Sequence, residues 1–394
     1  DLGNGERPPA GAVWARGRRL GNELVEVVVG SNGGLDLIDR RTRRRYRNLF
    51  VLESSSDQGD TYTFAPSRRD RLRSARGVPT PRIVANGPVV AAIELRGQIR
   101  AGQSPGRSGL GAVSFRLTVS LHAGSGAVRC SYLLENQALN HRLRLRIPTG
   151  IPGGVAVAGS PFGAIERPAA DPFPGHYPRE TPVTTAPAQR YVAHAASRQG
   201  LAVFAPGFFE YELDKHGVIR VTLLRSVGEL SRPDLETRPG HAGWPVPTPM
   251  AQCLGPDRIQ LACAPVTRAQ IGTGTLLDEL WEDLFLPIRP VWLRQASPLK
   301  LPAIDIRLEG AGLIFSALKP AEQDGVVVLR CYNATSSPTA GTWHFPMQVR
   351  SAQRARADEQ LLHEIKLGEE RRSVPFHAAA HEIVTMMVAL KVPD

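Results

Sequence analysis

The sequence predicts an all-β protein on three observations. Strand-length runs of valine, isoleucine, leucine and phenylalanine recur from Glu23 to the end of the chain, separated by clusters of glycine, serine, asparagine and proline. These runs follow one another without the intervening helices of a βαβ architecture, so the strands are expected to pair as antiparallel neighbours. Only one short stretch of the 394 residues carries a helical period of apolar positions.

The segment Asp1–Gly11 has no apolar core, reads as no signal peptide and lacks an initiator methionine. The chain is therefore expected to be processed or to be a piece of a longer protein. "ELVEVVVG" (Glu23–Gly30) is rich in β-branched residues and ends at the turn signal "SNGG", after which "LDLIDRRTRRRY" resumes the alternation. "PVVAAIELRGQIRA" (Pro88–Ala101), "AVSFRLTVSLHA" (Ala112–Ala123) and "AVRCSYLLENQA" (Ala127–Ala138) read as three consecutive long strands. "HRLRLRIPT" (His141–Thr149) alternates arginine with apolar residues, which predicts one wet and one buried face. Proline and glycine break the pattern between Gly150 and Gln189, and strands resume over Tyr191–Val227. A second irregular segment runs from Gly228 to Gly255. Long loops in a β domain are where ligand contacts concentrate. "TLLDELWEDLF" (Thr275–Phe285) is the one good helix, and the proline-punctuated "LPIRPVWLRQASPLKLPA" (Leu286–Ala303) reads as a connector. It divides the chain into domains at 1–286 and 287–394. The second domain carries the strand signals "GLIFSALKP", "GVVVLRCYN" and "HEIVTMMVALKV".

Hydrophobic residues make up 42% of the chain and charged residues 22%, the balance of an ordinary globular protein. No apolar run has the roughly 20 residues of a membrane span. Lys and Arg number 48 against 37 Asp and Glu, a net charge of +11. Only five of those bases are lysine, so the excess reads as arginine-rich composition rather than as a nucleic-acid footprint. The runs "RRTRRRYR" (Arg40–Arg47) and "RRDRLRSAR" (Arg68–Arg76) come with no recognition helix or stacking platform, so no nucleic-acid partner is expected. The four cysteines match neither a zinc motif nor a disulfide framework, which points to a reducing cytoplasm, and the sequon at Asn333 does not alter that.

The stretch "SSSDQGDTYTFAP" (Ser54–Pro66) concentrates the candidate chemistry. Asp57 and Asp60, three apart around Gly59, are candidates for a general acid/base pair, for ligand contact, or for caps of a turn that enters a "TYTF" strand. His377 and His381 have the i, i+4 spacing of zinc ligands on a helix, but the apolar run that follows reads as a strand and would take them out of register. No nucleophile elbow and no phosphate-binding loop occurs.

Eight stretches occur in an order that resembles one family: "DQGDTYTFAP", "LLENQALNHRLRLRIPTG", "TLLRSVGELSR", "TRPGHAG", "TPMAQCLG", "SALKPAE", "VVLRCYN" and "HEIVTMMV". Together they resemble the C-terminal β region of glycoside hydrolase family 38, the α-mannosidases, in its bacterial type, over roughly Leu20–Val388. The resemblance implies a large antiparallel super-sandwich of the galactose-mutarotase-like type, followed by a smaller β-sandwich. It implies a retaining mannosidase acting on α-mannosides in glycans. Its zinc and catalytic aspartates would lie mainly in an N-terminal domain outside this chain, which is then the partner that this region completes. No catalytic residue and no metal ligand is assigned here. In the family a tyrosine of the loop resembling "GDTYTF" contacts the bound sugar, and Tyr62 is the matching position. Asp57 and Asp60 would support that loop or meet sugar hydroxyls, and Arg232 or Arg238 matches a sugar-contacting arginine of the second loop. The isolated chain is expected to be inactive. A stand-alone carbohydrate-binding module is the alternative. The oligomeric state is not legible.

Overall fold

The computed structural model describes residues 12–67, 72–75, 81–101, 111–170, 177–272, 275–287 and 306–391. The chain forms two compact units, one of residues 1–158 and 166–268, the other of 159–165 and 269–394. The expected connector lies almost entirely outside the described residues, as does the start of the second arginine run.

In the first unit the five strands from Trp14–Arg16 to Arg44–Leu49 form a sheet in chain order. The arginines of this meander are answered locally: Arg45 pairs with Asp36 at 2.6 Å and Arg40 with Glu26 at 3.1 Å. The larger sheet has thirteen strands among the described residues. Its path runs Arg73–Ser74, Val51–Ser56, His141–Pro148, Val218–Ser226, Gln199–Leu213, Gly255–Pro265, Val128–Asn136, Ala112–His122, Val90–Arg100 and Arg82–Asn86. The three long runs read from the sequence are neighbours here, with Leu117 opposite both Leu95 and Tyr132. Alternation puts Val113, Phe115, Leu117, Val119 and Leu121 into one core with Val27, Leu37 and Leu49 of the smaller sheet. Each such side chain contributes about 1.5–3 kcal/mol when removed from water.

Two expectations meet a different outcome. The arginine face of His141–Pro148 is only partly wet. Arg144 pairs with Glu212 at 3.2 Å and Arg146 with Glu53 at 3.6 Å, and Arg220 joins Glu53 at 3.2 Å and Asp214 at 2.6 Å. Acidic residues on neighbouring strands, far away in sequence, cover the arginines with an ion lattice. The irregular stretch after Gly150 also contains strands, Val155–Ser160 and Gly163–Pro168, which pair with each other.

The second unit is a β-sandwich. One sheet holds Arg307–Glu309, Thr339–His344 and Ser373–Ala378, the other Leu313–Pro320, Val326–Asn333, Ile383–Leu390, Val349–Ala355 and Leu361–Glu364. Their inner faces share a core of Leu329, Cys331, Trp343, Val374, Val384, Met386 and Val388. The helix forms at Leu276–Phe285, with Thr275 at its N-cap position. Its buried Asp278 accepts a hydrogen bond from the Tyr332 hydroxyl at 3.3 Å. Asn333 is fully buried, and its amide donates to Ser337 O at 2.7 Å and Ala379 O at 2.9 Å, so the sequon serves a turn. His377 sits in a strand and His381 in a turn at φ 57°, and the two share no helical face.

Candidate functional site

Register brings three strand ends together. His141 lies opposite both Ser56 and Ser226, and Arg142 lies opposite Arg225. The loop Asp57–Ser67 leaves the first of these ends. It contains no "TYTF" strand, because its backbone is turned by side chains and has no neighbouring strand to pair with.

Asp57 and Asp60 do that turning. Asp57 Oδ1 accepts from Gly59 N at 2.8 Å and Ala65 N at 3.2 Å, and its Oδ2 accepts from Arg225 Nε at 2.6 Å. Asp60 Oδ1 accepts from Tyr62 N at 3.0 Å and Thr63 N at 2.9 Å, an Asx turn. Asp60 Oδ2 accepts from Arg232 N at 2.8 Å and from Arg238 Nη2. Both carboxylates are 0% exposed. Burial raises the Asp57 pKa, and the opposing Arg225 charge and hydrogen bonds do not fully offset it. Burial would also raise that of Asp60, but the Arg232 amide, the Arg238 side chain and the Thr63 and Tyr62 amides outweigh it and lower the pKa.

Arg225 binds the backbone as well. Its guanidinium donates to Asp60 O at 2.5 Å, Thr63 O at 2.7 Å and Thr61 O at 3.4 Å. Arg142 stacks over the Phe64 ring, 3.4 Å from its centroid, and burial pushes its pKa down to about 10. Gly59 has no room for a side chain, because a Cβ there would overlap Thr63 O and lie 2.8 Å from Asp57 Oδ1. Gly59→Ala is expected to destabilise the first unit by about 1–3 kcal/mol, since the overlap is with backbone. A urea midpoint unchanged from wild type would contradict this.

The second loop closes against the first. Thr61 N donates to Glu229 O at 3.2 Å and Thr61 Oγ1 to Leu230 O at 2.8 Å. Arg238 is buried between Asp60, Thr63 and Arg232 O, while the Arg232 guanidinium is held by Asp234 at 2.7 Å. Thr63 Oγ1 donates to Glu180 Oε1 at 2.8 Å. Beneath both loops His141 is fully buried, with Ser54 Oγ at 3.3 Å from Nδ1 and Asn136 Oδ1 at 3.1 Å from Nε2. Burial lowers its pKa to about 4, so the ring is neutral at pH 7. Asn140 O accepts from Asp57 N at 2.8 Å and ties this layer to the loop.

Of the five residues singled out from the sequence, Tyr62 alone presents its side chain outward, 56% exposed. Asp57, Asp60 and Arg238 lie inside as its foundation, and Arg232 flanks them through its own ion pair. Arg225, Arg142 and Gly243 escaped the sequence reading. Gly243 packs on the phenol, where a Cβ would sit 2.7 Å from the Tyr62 hydroxyl. The quoted "TLLRSVGELSR" held the signal for Arg225, an arginine at the end of a strand beside a long loop. Among the described residues no three His, Cys, Asp or Glu side chains converge to hold a metal ion.

Residues 20–236 match the family model described as glycosyl hydrolases family 38 C-terminal domain, and residues 312–386 match that of the family's C-terminal beta sandwich domain. A Halalkalibacterium halodurans protein named "Putative mannosylglycerate hydrolase" is 26% identical over 93% of this chain and 41% of its own length. The crystal structure of an alpha-mannosidase from Enterococcus faecalis V583 aligns over 95% of this chain and 43% of its own at TM-score 0.77 and 22% identity. A second Enterococcus faecalis structure, of a protein in glycosyl hydrolase family 38, aligns at TM-score 0.76 and 22% identity, over 95% of this chain and 44% of its own. These structural likenesses speak to the fold. The chain spans less than half the length of these three proteins.

Proposed function

The chain belongs to glycosyl hydrolase family 38, as its C-terminal region, and from that premise we propose that it completes the substrate site of a retaining α-mannosidase. The observation that carries this reading is Tyr62, an exposed phenol on a loop held by two buried carboxylates and two arginines. A tyrosine ring covers one face of a sugar while its hydroxyl bonds a sugar hydroxyl. A foundation braced by these bonds positions both and lowers the ordering cost at binding.

Retaining hydrolysis needs a nucleophile and an acid/base about 5–5.5 Å apart across the anomeric carbon. Asp57 and Asp60 are committed to the loop, so that pair, and the zinc of the family, would come from an N-terminal portion of the parent protein. When bound there, zinc supplies electrostatic stabilisation. The residues of this chain bind and orient the glycan and shield it from water. All four cysteines are free, which supports residence in a reducing compartment such as the cytoplasm. No helix among the described residues is long and apolar enough to cross a membrane.

The test is Tyr62→Phe in the full-length parent protein. The specificity constant for an aryl α-mannoside is expected to fall by the equivalent of about 1–3 kcal/mol, the cost of leaving a buried sugar hydroxyl without its partner. Calorimetry on the isolated chain is expected to show mannoside binding weaker than about millimolar. Tighter binding would favour the stand-alone carbohydrate-binding module. Zinc-dependent turnover by the isolated chain would overturn the site-completing role.

A further inference from the structure

The large sheet treats its arginines in two ways. Over His141–Pro148 they are answered by acids on neighbouring strands. Over Arg82–Asn86, Val90–Arg100, Ala112–His122, Val128–Asn136 and Gly255–Pro265 most are not. Side chains directly opposite in antiparallel register share a face. Register sets Arg82 opposite Glu94, Arg96 opposite Arg116, Arg116 opposite Leu133 and Leu133 opposite Arg258. Alternation adds Arg100 and Arg129, so the face turned away from the core carries six arginines against Glu94 and Glu135. All of the six but Arg129 are exposed. Glu94 holds Arg96 at 3.0 Å and lies 4.0 Å from Arg116. Arg82, Arg100 and Arg258 make no ion pair among the described residues. Like charges set directly opposite each other, as Arg96 and Arg116 are, cost stability unless a counter-charge lies over them.

The row of Arg96, Arg116, Leu133 and Arg258 lines a concavity of about 690 Å³, the size of a ligand site. We propose that this face binds an acidic polysaccharide, a glycan chain carrying carboxylates or sulfates, laid along the arginine row. Three strand spacings spread the row over about 14 Å, so it suits an extended polyanion better than a single small anion. Each guanidinium fork matches a carboxylate or sulfate with two parallel hydrogen bonds. Ser114 lines the same concavity, and Gln98 and Gln260 share the face, with donors and acceptors for sugar hydroxyls. The two acids of the concavity, Glu135 and Asp257, stand on the two strands at one end, and Asp257 accepts from Arg258 N at 2.7 Å. The aromatic rings of these strands, Phe115 and Tyr132, are packed in the core, so the face has no platform on which nucleic-acid bases could stack. The choice of a glycan rests on the family reading given above, and the choice of an anion on the row itself.

The experiment measures binding of polygalacturonate, dextran sulfate, neutral dextran and oligo(dT) to this chain. At least one of the two acidic polysaccharides is expected to bind, with an affinity that falls as salt rises, and neutral dextran is expected not to. The triple variant Arg96→Gln, Arg116→Gln, Arg258→Gln should lose affinity by about 10-fold or more. Arg258→Gln alone breaks no ion pair and so keeps the fold, and should lose about 3-fold. A control triple, Arg43→Gln, Arg44→Gln, Arg47→Gln, removes the same charge from the smaller sheet and should stay within about 2-fold. Equal losses in the two triples would reduce the effect to net charge and overturn the site. Oligo(dT) binding as tight as either polysaccharide would overturn the glycan, and absence of binding to both acidic polysaccharides would overturn the proposal. None of these outcomes depends on turnover, so the Tyr62 reading stands or falls separately.

Discussion

Arg225→Met is expected to lower the stability of the first unit by about 3–5 kcal/mol, the cost of leaving a buried charge without its partner. Asp57 is 0% exposed and keeps only two backbone donors once the guanidinium at 2.6 Å is gone. Three carbonyls, of Asp60, Thr61 and Thr63, lose a donor in the same step, and Thr63 O keeps only Asp60 N. Burial already raises the Asp57 pKa against the opposing Arg225 charge, and losing that charge raises it further. Adding Asp57→Asn should therefore recover part of the loss, because the amide keeps an acceptor for Gly59 and Ala65 and carries no charge. Urea denaturation at constant m-value measures both effects. A single-variant loss below about 1 kcal/mol would show that the loop does not depend on this clamp.

Stability should also fall as pH drops from about 6.5 towards 4, and His141 should account for much of it. Its folded pKa of about 4 lies below the usual histidine value. Between those two values the unfolded chain binds the proton and the folded chain does not, so stability rises with pH across the window. The contribution is complete above about pH 6.5 and lost as pH falls to the folded value, about 3 kcal/mol in all. His194, buried and also lowered, acts in the same direction. Asp57 opposes it, because its raised pKa favours the folded state most at low pH and loses that contribution as pH rises through it. Denaturation of His141→Gln, whose amide can still donate to Asn136, should show a flatter dependence over this window. Parallel pH profiles for variant and wild type would assign the acid sensitivity elsewhere.

Sequence reading recovered the strands whose two faces differ most. Ala112–His122 was found to the residue at its start because its odd positions are apolar and its even positions polar, and a strand with one buried face must read that way. It missed Thr339–His344, Val349–Ala355 and Leu361–Glu364, whose sequences TAGTWH, VRSAQRA and LLHE show no clear alternation until the partner strands are known. The same limit applied to the loops. Asp57 and Asp60 stood out as a pair of acids, yet nothing local could say whether they faced a ligand or the interior, because the partners of their Oδ2 atoms are more than 160 residues away.

What the sequence determined by itself is the all-β class, the helix at Leu276–Phe285 and the family, since period and ordered motifs are local properties of the chain. What only the tertiary structure decided is the role of each charged side chain. An arginine reads the same on any strand. Arg225 becomes the clamp of a loop, and Arg144 one node of an ion lattice, only when antiparallel register sets them beside Asp57 and Glu212. The energy of a buried charge depends on what fills the few ångströms around it, and distant parts of the chain fill that space.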